Sequence, residues 1–137
     1  MAEMAEAACV FCQIVAGVEP AYVILANDDV IAFLDLGPAA DGHSLVVPRV
    51  HCRNLLDAPA SVAAAVMAGA QDVARLLVRS LDAEGVTLFQ ANEAAGWQDV
   101  SHLHVVPRWT GDALARPWRT PQSVPQQLAA VRDRLTG

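Results

Sequence analysis

The chain has 137 residues, of which 54% are hydrophobic and 18% are charged, and its formal net charge is −6. A chain of this length buries roughly two-thirds of the surface that its unfolded form exposes, so residues 1–137 are predicted to form one domain without disulfide bonds. The acidic balance argues against a nucleic-acid partner and an anionic membrane surface, because both need a basic face. Charged residues, Gly and Pro interrupt every apolar run, so we expect no membrane-spanning segment.

The first eight residues are acidic and rich in Ala, and they lack the basic and apolar regions of a secretory signal. We therefore expect a cytoplasmic protein with reduced cysteines and a flexible segment over residues 1–8. All nine basic residues are Arg, which excludes any mechanism that uses a lysine. Four histidines and three cysteines are the main candidates for nucleophiles and metal ligands: His43, His51, His102, His104, Cys9, Cys12 and Cys52.

The N-terminal half predicts three strands and a long helix. Two β-rich runs over residues 22–34 are separated by Asn27, Asp28 and Asp29, which is typical of a hairpin. A short apolar run over residues 44–48 predicts a third strand. Apolar residues recur at helical spacing over residues 59–81, with Asp57 as a candidate N-cap.

The C-terminal half predicts two further strands and a tail. The strands are expected over residues 86–90 and 100–106, with a loop between them over residues 92–96. The tail, residues 110–137, is rich in Pro and Arg and contains a predicted short helix over residues 124–135. This order of elements indicates the α+β class, with an antiparallel sheet and one main helix.

Cys9 and Cys12 form a Cys-Val-Phe-Cys pair, whose spacing lets two thiolates reach one tetrahedral metal ion. A structural zinc site needs two more ligands, and the histidines are candidate donors of neutral nitrogen. The alternative is a pair of buried thiols that act as small hydrophobes or as a redox couple. Cys52 follows His51 directly, and we interpret it as a core residue.

His102 and His104 lie two residues apart in the predicted fifth strand. Alternation along a strand directs both imidazoles to one face, while Leu103 and Val105 point to the other. No serine-centred nucleophile motif is present, so a histidine nucleophile or a metal site fits this pair best. The alternative is a pair of polar residues on a solvent-exposed face.

Two loops have the composition of a phosphate cradle. One lies in the segment from Asp41 to His51, and the other runs from Asn92 to Gln98. Backbone N–H groups in such loops can bind a phosphate without a basic surface, so an acidic chain can still hold one nucleotide. Ordinary hairpin turns are the alternative, and for the Asn92 loop alone they are the preferred interpretation.

Four motifs in order resemble the histidine triad (HIT) family of nucleotide hydrolases and transferases, in its zinc-containing form. They are Cys-Val-Phe-Cys-Gln-Ile-Val-Ala-Gly from Cys9, Ala-Phe-Leu-Asp-Leu-Gly-Pro from Ala32, Gly-His-Ser-Leu-Val-Val-Pro-Arg-Val-His from Gly42, and the segment from Asn92 to Arg108. The resemblance implies a five-stranded antiparallel sheet with one long helix and a short C-terminal helix. It also implies a homodimer formed through the long helix and a central strand.

The activity that this resemblance implies is cleavage of a nucleoside phosphoramidate or a dinucleoside polyphosphate. The reaction would pass through a covalent nucleotidyl-histidine and release a nucleoside monophosphate, so a purine nucleotide such as AMP is the expected ligand. Asp35 would hold the ribose hydroxyls, since a carboxylate accepts two hydrogen bonds. The resemblance implies a base slot formed by Phe11, Ile14, Phe33 and Leu36.

The remaining roles also come from the resemblance. Asn92 and Gln98 would contact the phosphate region, and His43 would lie beside the catalytic histidine. The zinc ligands would be Cys9, Cys12, His51 and His102.

The chain departs from the family pattern in its histidine strand. The family strand carries three alternate histidines before Pro-Arg, whereas this chain is two residues shorter between Gln98 and Pro107. An alignment on Gln98 makes His102 the metal ligand and His104 the nucleophile. Val106 then stands where the third histidine belongs.

An alignment on Pro107 makes His102 the nucleophile and His104 the third histidine, with Val100 at the metal position. Both alignments keep every side chain on its expected face, because the strand period is two. We prefer the alignment on Gln98, since it keeps the zinc set complete. Asp99 is a second departure, because relatives commonly carry Ser or Thr there. A carboxylate at that position would repel a phosphate unless it is protonated or turned away.

These departures leave three functions open. The leading hypothesis is a nucleotidyl hydrolase or phosphoramidase. The second is a nucleotide-binding protein with weak catalysis, because the histidine strand is short. The third is a structural zinc domain that acts through protein contacts.

Overall fold

The computed structural model describes residues 9–93, 102–114 and 121–137, and within these ranges it contains five strands and three helices. The elements in chain order are α1 (Val10–Val15), β1 (Val23–Ala26), β2 (Val30–Leu34), β3 (Ser44–Pro48), α2 (Ala60–Leu81), β4 (Gly85–Phe89), β5 (Leu103–Arg108) and α3 (Pro125–Thr136). The strands form one antiparallel sheet in the order β1-β2-β3-β5-β4. The predicted α+β class and five-stranded sheet are therefore confirmed.

Local hydrogen bonds close the hairpin that the sequence predicts. The side-chain oxygen of Asn27 accepts the backbone N–H groups of Asp29 at 2.8 Å and Val30 at 2.9 Å. An Asn side chain in this role substitutes for a backbone turn, so β1 reverses directly into β2. β2 and β3 then pair in continuous register, from Val30 opposite Pro48 to Leu34 opposite Ser44.

The long helix α2 covers one face of the sheet. Its buried residues recur at helical spacing and pack against apolar side chains of β2, β3 and β5; the helix residues are Gly69, Ala70, Val73 and Leu77. A Cβ on Gly69 would lie 2.8 Å from Cγ2 of Val30, so the close approach of helix and sheet requires glycine there. By length and composition α2 is apolar enough to cross a membrane, a test that a core helix also passes.

The start of α2 differs from the expectation. Pro59 is the N-cap residue and makes no side-chain capping hydrogen bond. Asp57 instead accepts the backbone N–H of Asn54 at 3.1 Å, so its carboxylate is used within the preceding turn.

The short helix α1 lies on the other face of the sheet and was not predicted. Cys9 is its N-cap residue, and its sulfur accepts the backbone N–H of Cys12 at 3.4 Å. Phe11 and Ile14 pack on a buried apolar cluster of Ile31, Phe33, Leu45 and Val47. The Cys pair is therefore also the first turn of a helix, which brings both thiols to the end of β3.

β5 ends later than predicted. Within the described residues it runs over Leu103–Arg108, and it extends past Val106 because Pro107 and Arg108 pair with Val86 and Gly85 of β4. Residues 100 and 101 lie outside the described ranges. The C-terminal helix is confirmed as α3, with Pro125 at its first turn.

Candidate functional site

The candidate site lies on the sheet face opposite α2. Leu45 pairs with both Phe33 and His104, which places the side chains of these three residues on one face. Leu103 and Val105 belong to the core under α2, as the alternation of β5 predicts.

Three of the predicted residues converge at the centre of this face. His43 Nε2 lies 2.9 Å from His104 Nδ1 and 3.4 Å from Asp35 Oδ2. The distance from His104 Nδ1 to the same carboxylate oxygen is 3.9 Å. Both histidines are buried and Asp35 is partly exposed, so the cluster opens to solvent on the side of the carboxylate.

A glycine turn delivers His43 to the cluster. Gly42 has a φ of +98°, and a Cβ at this position would lie 2.7 Å from Cδ1 of Leu81. Only glycine adopts this conformation without strain, so the turn that presents His43 depends on it.

The hydrogen bonds define which ring nitrogens carry protons. The backbone N–H of Ala39 donates to His43 Nδ1 at 3.0 Å, so this nitrogen is an acceptor. A neutral His43 must then carry its proton on Nε2 and donate it to His104 Nδ1. A neutral His104 in turn carries its proton on Nε2. In this state His104 Nδ1 already accepts a hydrogen bond from His43, so His104 can interact with a ligand only by donating through Nε2.

The electrostatics of the site favour neutral rings. Burial lowers the pKa of His43, and Asp35 opposes that shift. The pKa of His104 is lowered to about 4, mainly by burial and further by His102 and His43, with Asp35 acting in the opposite direction. Both imidazoles are consequently neutral at pH 7.

Aromatic packing holds the histidine pair. The ring of Phe89 stacks on His104, with centroids 4.0 Å apart and an interplanar angle of 9°. The ring of His102 lies 4.8 Å from His104 and 4.8 Å from Phe11. Phe89 was missed as a site residue; the signal was its place at the end of a predicted strand that pairs with the histidine strand.

The predicted base slot is a cavity of about 200 Å³ between α1 and β2. All four predicted residues line it together with Asp35: Phe11, Ile14, Phe33 and Leu36. Phe33 is buried, whereas Leu36 is 83% exposed and forms the rim. Asp35 Oδ1 accepts the N–H of Gly37 at 2.8 Å, which fixes the carboxylate between the cavity and the histidines.

Three of the four predicted zinc ligands converge at the start of α1. The ligand atoms of Cys9, Cys12 and His51 all lie within 4.8 Å of one another, and Cys12 Sγ is 3.1 Å from His51 Nδ1. His102 is outside this group. Two soft sulfurs and one imidazole, all at least partly buried, suit zinc.

The predicted phosphate contacts are only partly described. Asn92 Oδ1 accepts the backbone N–H of Leu55 at 2.7 Å, so this oxygen anchors the turn before α2. Gln98 and Asp99 lie outside the described residues. The N–H of Ala39, which selects the tautomer of His43, has no signal in the sequence.

Comparison with known proteins decides the family. The HIT domain model matches residues 16–110, which is more than half of the chain. The chain belongs to the HIT family. Adenylylsulfatase HINT3 of Arabidopsis thaliana is 29% identical over 136 residues, which cover 93% of this chain and 69% of the relative. This family includes hydrolases and nucleotide-binding proteins.

Two solved structures support the fold of this HIT protein. A Streptococcus mutans protein superposes with a TM-score of 0.89 at 31% identity, covering 97% of this chain and 86% of that one. A zinc-bound histidine triad family protein from Mycobacterium smegmatis gives a TM-score of 0.75 at 34% identity and covers 94% of each chain. The cysteine–histidine group described above is compatible with zinc.

Proposed function

We propose that this HIT protein is a nucleotidyl hydrolase that forms a covalent nucleotidyl-histidine and releases a nucleoside monophosphate. The position of Asp35 is the observation that carries the proposal. It lines the apolar cavity, and its Oδ2 lies 3.4 Å from the ring of His43. A base in the cavity would therefore leave its ribose at the carboxylate and its α-phosphate beside the histidines.

Three classes of substrate suit this arrangement. Nucleoside phosphoramidates and dinucleoside polyphosphates come from the sequence analysis. The Arabidopsis relative is an adenylylsulfatase, which adds adenylyl sulfate. In all three classes a nucleoside phosphoryl group is joined to a leaving group. A site that binds the nucleoside therefore accepts substrates of all three classes.

The hydrogen-bond pattern favours His102 as the nucleophile over His104. The Nδ1 lone pair of His104 accepts the proton of His43, and its Nε2 carries a proton, so no nitrogen of this ring is free to attack. The ring of His102 lies 4.8 Å from that of His104, on the side of Phe11. This assignment corresponds to the alignment on Pro107.

The reaction then has two steps. A nitrogen of His102 forms a bond to the α-phosphorus, and the bond to the leaving group breaks. Water then attacks the phosphorus and releases the nucleoside monophosphate together with the free imidazole. The Nε2–H of His104 donates to a phosphoryl oxygen in both steps, and His43 keeps this donor in the required tautomer.

Zinc is proposed as a structural ion held by Cys9, Cys12 and His51. Bound there, it would supply a cross-link between the start of α1 and the segment that follows β3. Phe11 lies between Cys9 and Cys12 in the chain and lines the base cavity, so the cross-link would stabilise one wall of that cavity.

A homodimer is proposed from two exposed apolar surfaces. On α2 the exposed large apolar residues are Met67, Val78 and Leu81, and spacings of 11 and three residues place them on one side of the helix. β4 is an edge strand of the sheet and exposes Val86, Leu88 and Phe89. Because Phe89 also stacks on His104, a second copy at this edge would lie beside the site.

An assay of AMP release tests the proposed function. Purified protein would be incubated with adenosine phosphoramidate, diadenosine polyphosphates and adenylyl sulfate, and AMP binding would be measured by calorimetry. We expect the parent protein to release AMP and His102→Ala to release none. AMP binding without release would support the alternative of a nucleotide-binding protein with weak catalysis, for which the histidine strand, two residues shorter than the family pattern, is the favouring observation. Absence of AMP binding would contradict both.

A further inference from the structure

A small cavity lies between α1 and the segment that follows β3, and the described residues that line it include four with metal-binding side chains. The cavity volume is about 10 Å³. The four residues are Cys9, Cys12, His51 and Cys52. His102 is not among the described lining residues, and its ring packs instead against Phe11 and His104.

We propose that Cys52 is the fourth zinc ligand, so that the site is Cys3His instead of the Cys2His2 set that includes His102. This inference rests on the zinc part of the proposed function. Zinc accepts Cys3His sets in structural sites, with Zn–S distances of about 2.3 Å and Zn–N distances of about 2.0–2.1 Å.

The backbone at Cys52 permits this role. His51 and Cys52 are consecutive, and in a strand they would point to opposite faces. They lie after the end of β3 in irregular structure, so this restriction does not apply. Cys52 is outside the group of three whose ligand atoms lie within 4.8 Å. Rotation about its χ1 between staggered rotamers is the movement by which its sulfur would join them.

Burial also suits a third thiolate. Cys9, Cys12 and Cys52 are 8%, 7% and 9% exposed, so a bound ion would be shielded from solvent. Three thiolates and one Zn²⁺ carry a net charge of −1. His102 is then released for the chemical step.

Cobalt substitution and zinc affinity test the ligand set. The intact protein would be loaded with Co²⁺, and the thiolate-to-cobalt absorbance in the near ultraviolet would be compared with that of Cys52→Ser and His102→Ala. We expect Cys52→Ser to lose about one-third of this absorbance and to bind zinc about 100-fold more weakly or worse. Loss of a residue that only hydrogen-bonds to a metal ligand already lowers metal affinity about 10- to 100-fold. His102→Ala should match the parent in both measurements.

The reverse pattern, with His102→Ala weakened and Cys52→Ser unchanged, would overturn the proposal, as would a parent protein that binds neither ion. X-ray absorption of the zinc-loaded parent needs no variant: three sulfurs and one nitrogen are expected, and two of each contradict the proposal. AMP release from the same preparation is measured separately, so failure of the ligand assignment is distinguishable from failure of the hydrolase.

Discussion

His104 illustrates how one hydrogen bond decides the role of a residue. A backbone N–H from Ala39 makes His43 Nδ1 an acceptor, and the proton of His43 Nε2 then occupies His104 Nδ1. The hydrogen bond from Ala39 N–H to His43 Nδ1 also argues against a metal ion among Asp35, His43 and His104, although their ligand atoms lie within 4.8 Å of one another. A histidine that binds metal through Nε2 carries its proton on Nδ1, where the N–H of Ala39 already points.

Substitution of each histidine should separate nucleophile from donor. We expect His102→Ala to form no covalent adenylyl-protein, whereas His104→Ala still forms it with kcat about 100- to 1,000-fold lower, the usual cost of a lost transition-state donor. Intact-protein mass spectrometry after rapid quenching detects the adduct. An adduct on His102→Ala but none on His104→Ala would restore His104 as the nucleophile.

The buried histidines should also make stability depend on pH. Their folded-state pKa values are lowered, to about 4 for His104, below the ordinary value of 6.5. Between pH 6.5 and 4 the unfolded chain binds more protons than the folded chain, so stability is highest above pH 6.5 and decreases as pH falls. The slope is at most about 1.4 kcal/mol per pH unit for each histidine.

Urea denaturation at several pH values measures this slope. The matched comparison is His104→Gln, with both proteins treated identically for metal. The variant should show a shallower decrease in the free energy of unfolding toward pH 5. Equal slopes would mean that His104 titrates alike in the folded and unfolded chains.

At the scale of elements, the contact between α2 and the sheet depends on a missing side chain. Gly69 approaches Val30 and Val46, and a Cβ there would lie 2.8 Å and 3.2 Å from their methyl carbons. Both valines are fully buried and branched at Cβ, so they have little freedom to move. The helix therefore tolerates glycine at a position where alanine is the better helix former.

Gly69→Ala is expected to lower the free energy of unfolding by about 1 kcal/mol, since overpacking costs about 1–3 kcal/mol and helix propensity returns up to about 1 kcal/mol. Gly85→Ala is the control, because a Cβ at Gly85 meets nothing within 4 Å. Chemical denaturation of both variants is the measurement. A Gly69→Ala protein that is as stable as the parent would show that the helix can move away from the sheet.

At the scale of the whole molecule, one face of α2 and the edge at β4 leave apolar side chains exposed. On α2, Met67 is 52% exposed and Val78 is 48% exposed, and both lie on the same side of the helix. Leu88, at 38%, lies on the edge strand. Exposed apolar surface beside an unpaired strand edge is typical of a subunit interface.

Acidic substitutions should therefore dissociate the proposed dimer. We expect Met67→Glu combined with Val78→Glu to sediment as a monomer at concentrations where the parent is a dimer, because two buried charges would face each other across a symmetric interface. Leu135→Lys on α3, where the leucine is 80% exposed, is the control. A parent protein that is monomeric at all concentrations would contradict the dimer.

Local sequence patterns were enough for most of the fold. Backbone geometry imposes a short repeat on residues that are close together in the chain, so the sequence alone reveals it. The turn at Asn27, the helical spacing in α2 and the alternation of β5 are of this kind. The short helix α1 escaped prediction because its six residues span fewer than two helical turns, too few for a repeating pattern. The shift of β5 escaped because its end is set by pairing with β4, a contact between segments far apart in the chain.

The candidate site divides in the same way. Residue types and spacing identified Cys9, Cys12, His102 and His104 as candidates, and family resemblance added His43, His51, Asp35 and the base slot. The direction of the hydrogen bond between His43 and His104, the stacking of Phe89 and the position of His102 outside the metal group required the tertiary structure. The physical reason is that a tautomer or a ligand set depends on distances between groups from different strands, and no local pattern encodes those distances.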